Sequence, residues 1–273
     1  MKILKLLSTL LLINCTNSVP TINLSDDLNE TSGLEALGSE LITFNDSGGE
    51  AKLYYLNQNG SVVYEREIIG ASNIDWEDIT LDSSFIYIED MGNNLDRRKD
   101  LNIIKVPIDK NDTSSFELIE FYYPEQARFD TPYDSSQYDA EALISIKDSL
   151  YLFTKNKLKV FTEVYRLPKE AGRYKAEKIG TIDTESIITS ADYSNLTNLL
   201  AFTSTVDFTN YSLQTIENFN IDSLTNLKIN TNLIPVGKSQ IEAIKIIDLN
   251  NFWISSEDEV SSSSARLFKL NLY

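Results

Sequence analysis

Short runs of apolar and polar residues with strand-like composition, separated by polar turns, fill the chain from Thr21 onward. No segment keeps a helical period over twelve residues, so the pattern predicts β-strands throughout. The runs fall into units of about four. The first unit holds Gly33–Leu37, Leu41–Phe44, Ala51–Leu56 and Ser61–Ile69, with "NQNG" as a hairpin turn. The second holds Glu77–Leu81, Phe85–Glu89, Leu101–Ile108 and Phe116–Tyr123. The third holds Glu141–Ile146, Leu150–Thr154, Val160–Leu167 and Tyr174–Ile182. A less tidy fourth has Leu199–Thr203, Tyr211–Ile216 and Leu227–Ile234. The fifth has "IEAIKII", Phe252–Ser255 and "RLFKLNLY", and then the chain ends one strand short.

Two stretches, "DWEDITLDSSFIYIEDMGNN" and "DAEALISIKDSLYLFTKNK", share one pattern. An acid is followed by any residue, a glutamate, a small or acidic residue and a branched aliphatic. Alignment on that pattern places Ser32, Glu77, Glu141, Ser190 and Glu242 at equivalent positions, spaced 45, 64, 49 and 52 residues apart. Four-stranded antiparallel units at such a period are the sequence form of a β-propeller. A two-sheet sandwich could not accommodate some twenty strands. The expected fold is therefore all-β: a five-bladed β-propeller with four antiparallel strands per blade. "TINLSD" (Thr21 to Asp26) lies before the first unit and is expected to complete the last blade and close the ring.

In such a ring the first strand of each blade lines the central channel, so the five anchors should lie at one height near its top. Three glutamates converging there cannot all stay ionised without a counter-charge. All candidate donors are oxygens, which selects a hard ion, and a loose five-fold arrangement suits Ca²⁺ better than octahedral Mg²⁺. The alternative is that these polar residues bind channel water and hold neighbouring inner strands in register.

Composition narrows the chemistry. The 273 residues carry a net charge of −17 and 42% hydrophobic residues, enough for a core and opposed to nucleic-acid phosphate. The absence of histidine removes Ser-His-Asp and Cys-His catalysis and imidazole metal sites. "MKILKLLSTLLLINC" reads as an export signal with Lys2 and Lys5 before a short apolar core. Its "LINC" resembles the lipobox of bacterial lipoproteins. The expected layout is a signal peptide over 1–14, a lipid-anchored linker over 15–20 starting at Cys15, and one propeller over 21–273. This implies an exported monomer, held in the outer membrane or on the cell surface by its lipid alone. Cys15 is the only cysteine, so no disulfide is expected.

The order Ser32, Glu77, Glu141, Ser190, Glu242 resembles that of the calcium-activated nucleotidases (apyrases). That resemblance implies a five-bladed propeller with an axial Ca²⁺ on those five residues, and hydrolysis of nucleotides. The family's "FDDRTG"-like turn reads "FNDSGG" here, which keeps Asp46 and Gly48 but not the arginine. Its basic pair after the third blade's second strand reads "TKNK", with Lys155 and Lys157. In wording, strings such as "NDSGG" and "DWEDI" are closer to propeller lipoproteins of Bacteroidetes-type bacteria, a likeness that implies fold and compartment and no activity.

Two functions follow as expectations. One is a calcium-stabilised propeller that binds a glycan, peptide or protein on its top face through Asn45, Asp46, Asp90, Asn94, Arg128 and Lys155. The other is an apyrase-like phosphohydrolase, in which Asp46 or Asp90 positions water beside the Ca²⁺ and Arg97, Arg98, Lys99, Arg128 or Lys155 neutralises phosphate. The Asn-Asp-Ser-Gly-Gly and Asp-Met-Gly-Asn-Asn segments also suit plain tight turns.

Overall fold

The computed structural model describes residues 19–112, 115–237, 239–257 and 265–272. The signal segment, Cys15 and the "SEDEVSSSS" segment beyond Glu257 lie outside the described residues. Five small sheets stand around a common axis, as the repeat predicts. Blade 1 is β2 (Thr31–Leu37), β3 (Glu40–Asn45), β4 (Lys52–Leu56) and β5 (Val62–Glu67). Blade 2 is β6 (Trp76–Leu81), β7 (Phe85–Asp90), β8 (Asn102–Pro107) and β9 (Glu117–Tyr122). Blade 3 is β10 (Ala140–Ile146), β11 (Ser149–Thr154), β12 (Thr162–Pro168) and β14 (Glu177–Ile182). Blade 4 is β15 (Ile187–Ser194), β16 (Leu199–Thr205), β17 (Tyr211–Ile216) and β18 (Asn230–Leu233). Blade 5 is β19 (Ile241–Ile246), β20 (Asn251–Ser256), β21 (Arg266–Asn271) and the N-terminal β1 (Thr21–Asn23). The inner strands β2, β6, β10, β15 and β19 contact one another in that order and back to β2, which closes the ring.

Closure comes from β1, which pairs antiparallel with β21 in the register Thr21 to Phe268 and Asn23 to Arg266. The Leu24 amide extends the ladder to the Ala265 carbonyl. Beyond it Leu24 and Leu28 bury against Leu34, Trp253 and Leu267, between blades 5 and 1. Each of the other blade interfaces has a buried cluster of its own. The core is thus five apolar seams around a polar axis.

One strand departs from the expected pattern. The run Tyr174–Ile182 is broken: β13 (Gly172–Lys175) leaves blade 3 and pairs parallel with β9, giving blade 2 a fifth strand. Ala176, buried in the cluster between blades 2 and 3, marks the crossing before β14 rejoins blade 3. The expected outer strand Leu227–Ile234 is also shorter, reduced to β18, with Leu227 packed instead against the cluster between blades 3 and 4.

Every inner strand carries a register irregularity near its head: between Ser32 and Glu35, Trp76 and Ile79, Ala140 and Ala142, Ile188 and Ser190, and Ile241 and Ala243. A bulge adds an unpaired residue and re-aims its side chain. Glu77, Glu141 and Glu242 fall inside three of these bulges, which is how carboxylates reach the channel from strands otherwise committed to the core. In blade 1 the bulge needs Gly33, at φ +59°, because a Cβ there would lie 2.7 Å from the Phe44 ring.

Candidate metal centre at the channel mouth

The channel opens on the top face into a pit of about 300 Å³. Its walls are Ser32, Asp46, Glu77, Asn94, Tyr133, Glu141, Lys155, Phe208, Gln240, Glu242 and Glu257. Four of the five aligned anchors therefore face it. The fifth, Ser190, does not line it; its hydroxyl donates to Asp78 Oδ1 at 3.4 Å. In blade 4 the bulged residue is Thr189, one position earlier, and its hydroxyl donates to the Ile241 carbonyl. Ser32 turns its hydroxyl onto the Glu77 carbonyl at 2.6 Å, tying the heads of two inner strands together.

Backbone contacts bring the acids into one place. The Trp76 amide donates to the Asp46 carbonyl, and Ser47 bridges Asp75, so the top of blade 1 is sewn to the head of β6. Gly92 then passes directly over the carboxylates. A Cβ at that position would lie 2.1 Å from Glu77 Oε1 and 2.3 Å from Asp75 Oδ2. The "DMGNN" segment is thus more than a turn: its glycine permits the backbone to close on two acids. The next amide, Asn93, donates to Asp139 Oδ1 at 2.6 Å.

The result is two overlapping carboxylate triads. Oxygens of Asp46, Asp75 and Glu77 lie within 4.8 Å of one another, and so do those of Glu77, Asp139 and Glu141. With Glu242 and Glu257, seven carboxylates of the described residues surround the mouth. Two ammonium groups stand among them. Lys155 Nζ is 2.5 Å from Glu141, and Lys157 Nζ is 3.2 Å from Asp139 while touching Asn94 at 2.5 Å.

This imbalance shows in the acids' affinity for protons. Burial, with repulsion from Asp75, Glu242 and Glu30, pushes Asp46 up to about 8. Burial and the charges of Glu242 and Asp46 push Glu257 up to about 9. Burial and the neighbouring Glu141 and Asp46 hold Glu77 well above the usual carboxylate range. Burial also raises Glu141, against the opposing pull of Lys155. Asp46 Oδ1 is buried and makes no hydrogen bond among the described residues. An all-oxygen donor set with surplus negative charge and a buried, unsatisfied acceptor fits a hard divalent cation.

The remaining predicted ligands separate. Asn45 reaches away, donating to the Asp27 carbonyl. Asp90 is buried outside the pit, where it accepts from the Asp75 amide and pairs with Arg98 at 2.9 Å. Arg128 lines a different hollow, of about 430 Å³, with Asp96, Asp130 and Tyr138. Asn94 and Lys155 do line the pit. Alignment of the anchors did not single out Asp75, Asp139, Gly92, Tyr133 or Phe208. Asp75 and Asp139 were nonetheless visible as the leading acid of both repeats.

Below the mouth lies a second polar layer. Asp78 accepts amides from Leu143 and Ala191, on the inner strands of blades 3 and 4. Lys245 pairs with Glu35 and, at 2.9 Å, with Asp192, joining blades 1, 4 and 5. Burial pushes Glu35 up to about 7 despite Lys245.

No family profile and no curated protein matches the chain. Solved structures do resemble it. An exo-β-1,3-galactanase from Phanerochaete chrysosporium matches with a TM-score of 0.56 at 11% identity, over 93% of this chain and 65% of the enzyme. One from Clostridium thermocellum matches with 0.55 at 8% identity, over 93% and 62%. The chain thus spans less than two thirds of those enzymes. An aldose sugar dehydrogenase from Streptomyces coelicolor, in its PQQ-bound form, aligns over 92% of this chain and 98% of its own at 12% identity, with a TM-score of 0.49. At such identities the likeness is one of fold. The chain is a five-bladed β-propeller.

Proposed function

We propose that this protein is a binding propeller whose axial mouth holds one Ca²⁺ on Asp46, Asp75 and Glu77, and that the ion and the rim around it receive a ligand on the top face. The observation that carries this reading is that, among the described residues, seven carboxylates face two ammonium groups at the mouth, with Asp46 Oδ1 buried and unsatisfied. Ser32 and Glu242 wall the same pit and complete the oxygen surroundings. Bound calcium would offset two of the charges on Asp46, Asp75 and Glu77 and fix the end of β3, the head of β6 and the Gly92 segment relative to one another.

The rim favours a glycan over a charged small molecule. Tyr133 and Phe208 stand in the pit wall with Asn94 and Gln240, so aromatic faces and amide groups surround the ion. Phe208 is held at φ +55° by its amide's bond to Thr205 Oγ1, a costly conformation for an aromatic residue and one that displays its ring. The galactanase of Phanerochaete chrysosporium that shares the fold was solved with β-1,3-galactotriose, which is in keeping with a glycan ligand here. Phosphoryl transfer fits less well. It needs cations facing the mouth, whereas Lys155 pairs with Glu141, Arg98 with Asp90 and Arg97 with Asp130. Nucleoside di- and triphosphates are therefore expected to remain intact with or without Ca²⁺.

The protein would work outside the cytoplasm, held to the membrane by lipid on Cys15. Cys15→Ser should move it from the membrane to the soluble fraction. Calorimetric titration of the full chain with Ca²⁺ tests the site itself. One ion per chain is expected, with binding lost in Glu77→Gln; an isothermal null for the native protein would reject the reading.

A further inference from the structure

Lys155 is the unusual member of the mouth. It follows β11, and its amide donates to the Asp139 carbonyl at 2.6 Å, which fixes the backbone where the side chain enters the pit. Its ammonium reaches Glu141 at 2.5 Å, with side-chain exposures of 9% for the lysine and 2% for the glutamate. Burial alone would drive such an ammonium to release its proton, but the charges of Glu141, Asp139, Glu242 and Glu77 outweigh burial and hold the proton on. The ion pair itself thus sets an ammonium group against Glu141, beside the triad of Glu77, Asp139 and Glu141. Lys157, nearby, pairs with Asp139 and lies over the Tyr133 ring at 3.7 Å. No basic side chain is ion-paired with Asp46, Asp75 or Glu77 among the described residues.

We infer that Lys155 is a tethered cation occupying the second of two cation positions at the mouth, which confines the metal to Asp46, Asp75 and Glu77. This rests on the proposed calcium site. Glu77 belongs to both triads, and a carboxylate has two oxygens, so the residues present could bridge a pair of ions. The ammonium on Glu141 prevents that. It lowers the charge of one triad without supplying a ligand, and so sets both the number of ions and their place. A second sign of charge shortage is Glu89 on β7. Glu89 is wholly buried, both its oxygens lack hydrogen bonds among the described residues, and it stands in the field of Asp78, Glu141 and Asp139. Without the lysine, the triad of Glu77, Asp139 and Glu141 would be a buried all-oxygen set of the kind that takes a hard cation.

The test counts ions. Equilibrium dialysis of the full-chain protein against Mn²⁺ and Ca²⁺ should give one ion for the native chain, one for Lys155→Arg and two for Lys155→Met. The first ion should also bind Lys155→Met at least several-fold more tightly. One ion on every variant, with unchanged affinity, overturns the lysine's role while leaving the calcium site standing. No ion on the native chain but one on Lys155→Met rejects the native calcium site and keeps the lysine's role. No ion on any variant rejects both. A measurement on the native chain covers the case in which Lys155→Met does not fold. In an ¹⁵N spectrum selective for lysine ammonium groups, the Lys155 signal is assigned by its loss in Lys155→Arg. It should shift but persist at saturating Ca²⁺; disappearance would mean that metal displaces the ammonium, which contradicts the inference.

Discussion

Gly92 is the residue on which the mouth turns. Any side chain there must displace Glu77 or Asp75, since even a Cβ would lie 2.1 Å from the first and 2.3 Å from the second. Gly92→Ala should therefore lower Ca²⁺ affinity by about tenfold or more, or about 1.4 kcal/mol. Titration calorimetry reads this directly, and unchanged affinity would remove Gly92 from the site. The acids themselves make a second prediction. Asp46 moves from an ordinary 3.8 to about 8, Glu257 from 4.5 to about 9 and Glu35 from 4.5 to about 7, all upward and all first by burial. A carboxyl raised in the folded state binds more protons there than in the unfolded chain, so stability falls as pH rises. In chelator, the melting temperature should decline from about pH 5 towards pH 9, the window these shifts span. Saturating Ca²⁺ should flatten the part due to Asp46 and leave that of Glu35, which lies lower in the channel. A melting temperature independent of pH in chelator would mean that the acids are solvated.

Among the elements, β1 carries the most consequence for its length. Three residues pair with β21, and the following Leu24 and Leu28 fill the seam between blades 5 and 1. Removing residues through Asp26 exposes the β21 edge and part of that seam, so the melting temperature should fall sharply; an unchanged melt would argue against this closure. This strand was legible in advance because the last unit lacked one strand and "TINLSD" had no other place. The inner strands were legible for a related reason: each carries a polar residue near its head, a cost that recurs only if the positions share an environment. What was hidden followed from geometry that spacing does not carry. Ser190 aligns with the glutamates by count, yet the bulge in β15 falls at Thr189, and a shift of one residue turns a strand's side chain to the opposite face. β13 resembles the start of β14, and only the buried Ala176 between them marks the change of blade. Asp75 and Asp139 opened both repeats, but their approach to Glu77 depends on the Gly92 crossing and on the Asn93 amide beside it.

For the whole molecule, the channel is a column of charge with two different solutions along its length. In the lower layer each acid has a protein partner, since Lys245 pairs with Glu35 and Asp192 and Asp78 gathers backbone amides, although burial still raises Glu35. At the mouth the acids of the described residues outnumber the ammonium groups, and the proposed calcium supplies part of the missing charge. An ion that binds only the closed ring should stabilise it by about 2.7 kcal/mol at a hundredfold excess over Kd. For a domain of this size that corresponds to roughly 5–10 °C in Tm.

The most direct measurement is a thermal melt of the native chain and of Glu77→Gln, each with Ca²⁺ and with chelator. Calcium should raise the native melting temperature and leave Glu77→Gln nearly unchanged. In chelator the variant should melt as high as the native chain or higher, because a repelling buried charge has gone; in calcium it should melt lower. If calcium leaves the native chain unaffected and Glu77→Gln is the more stable protein in both buffers, the mouth holds only water and the proposed calcium site is wrong.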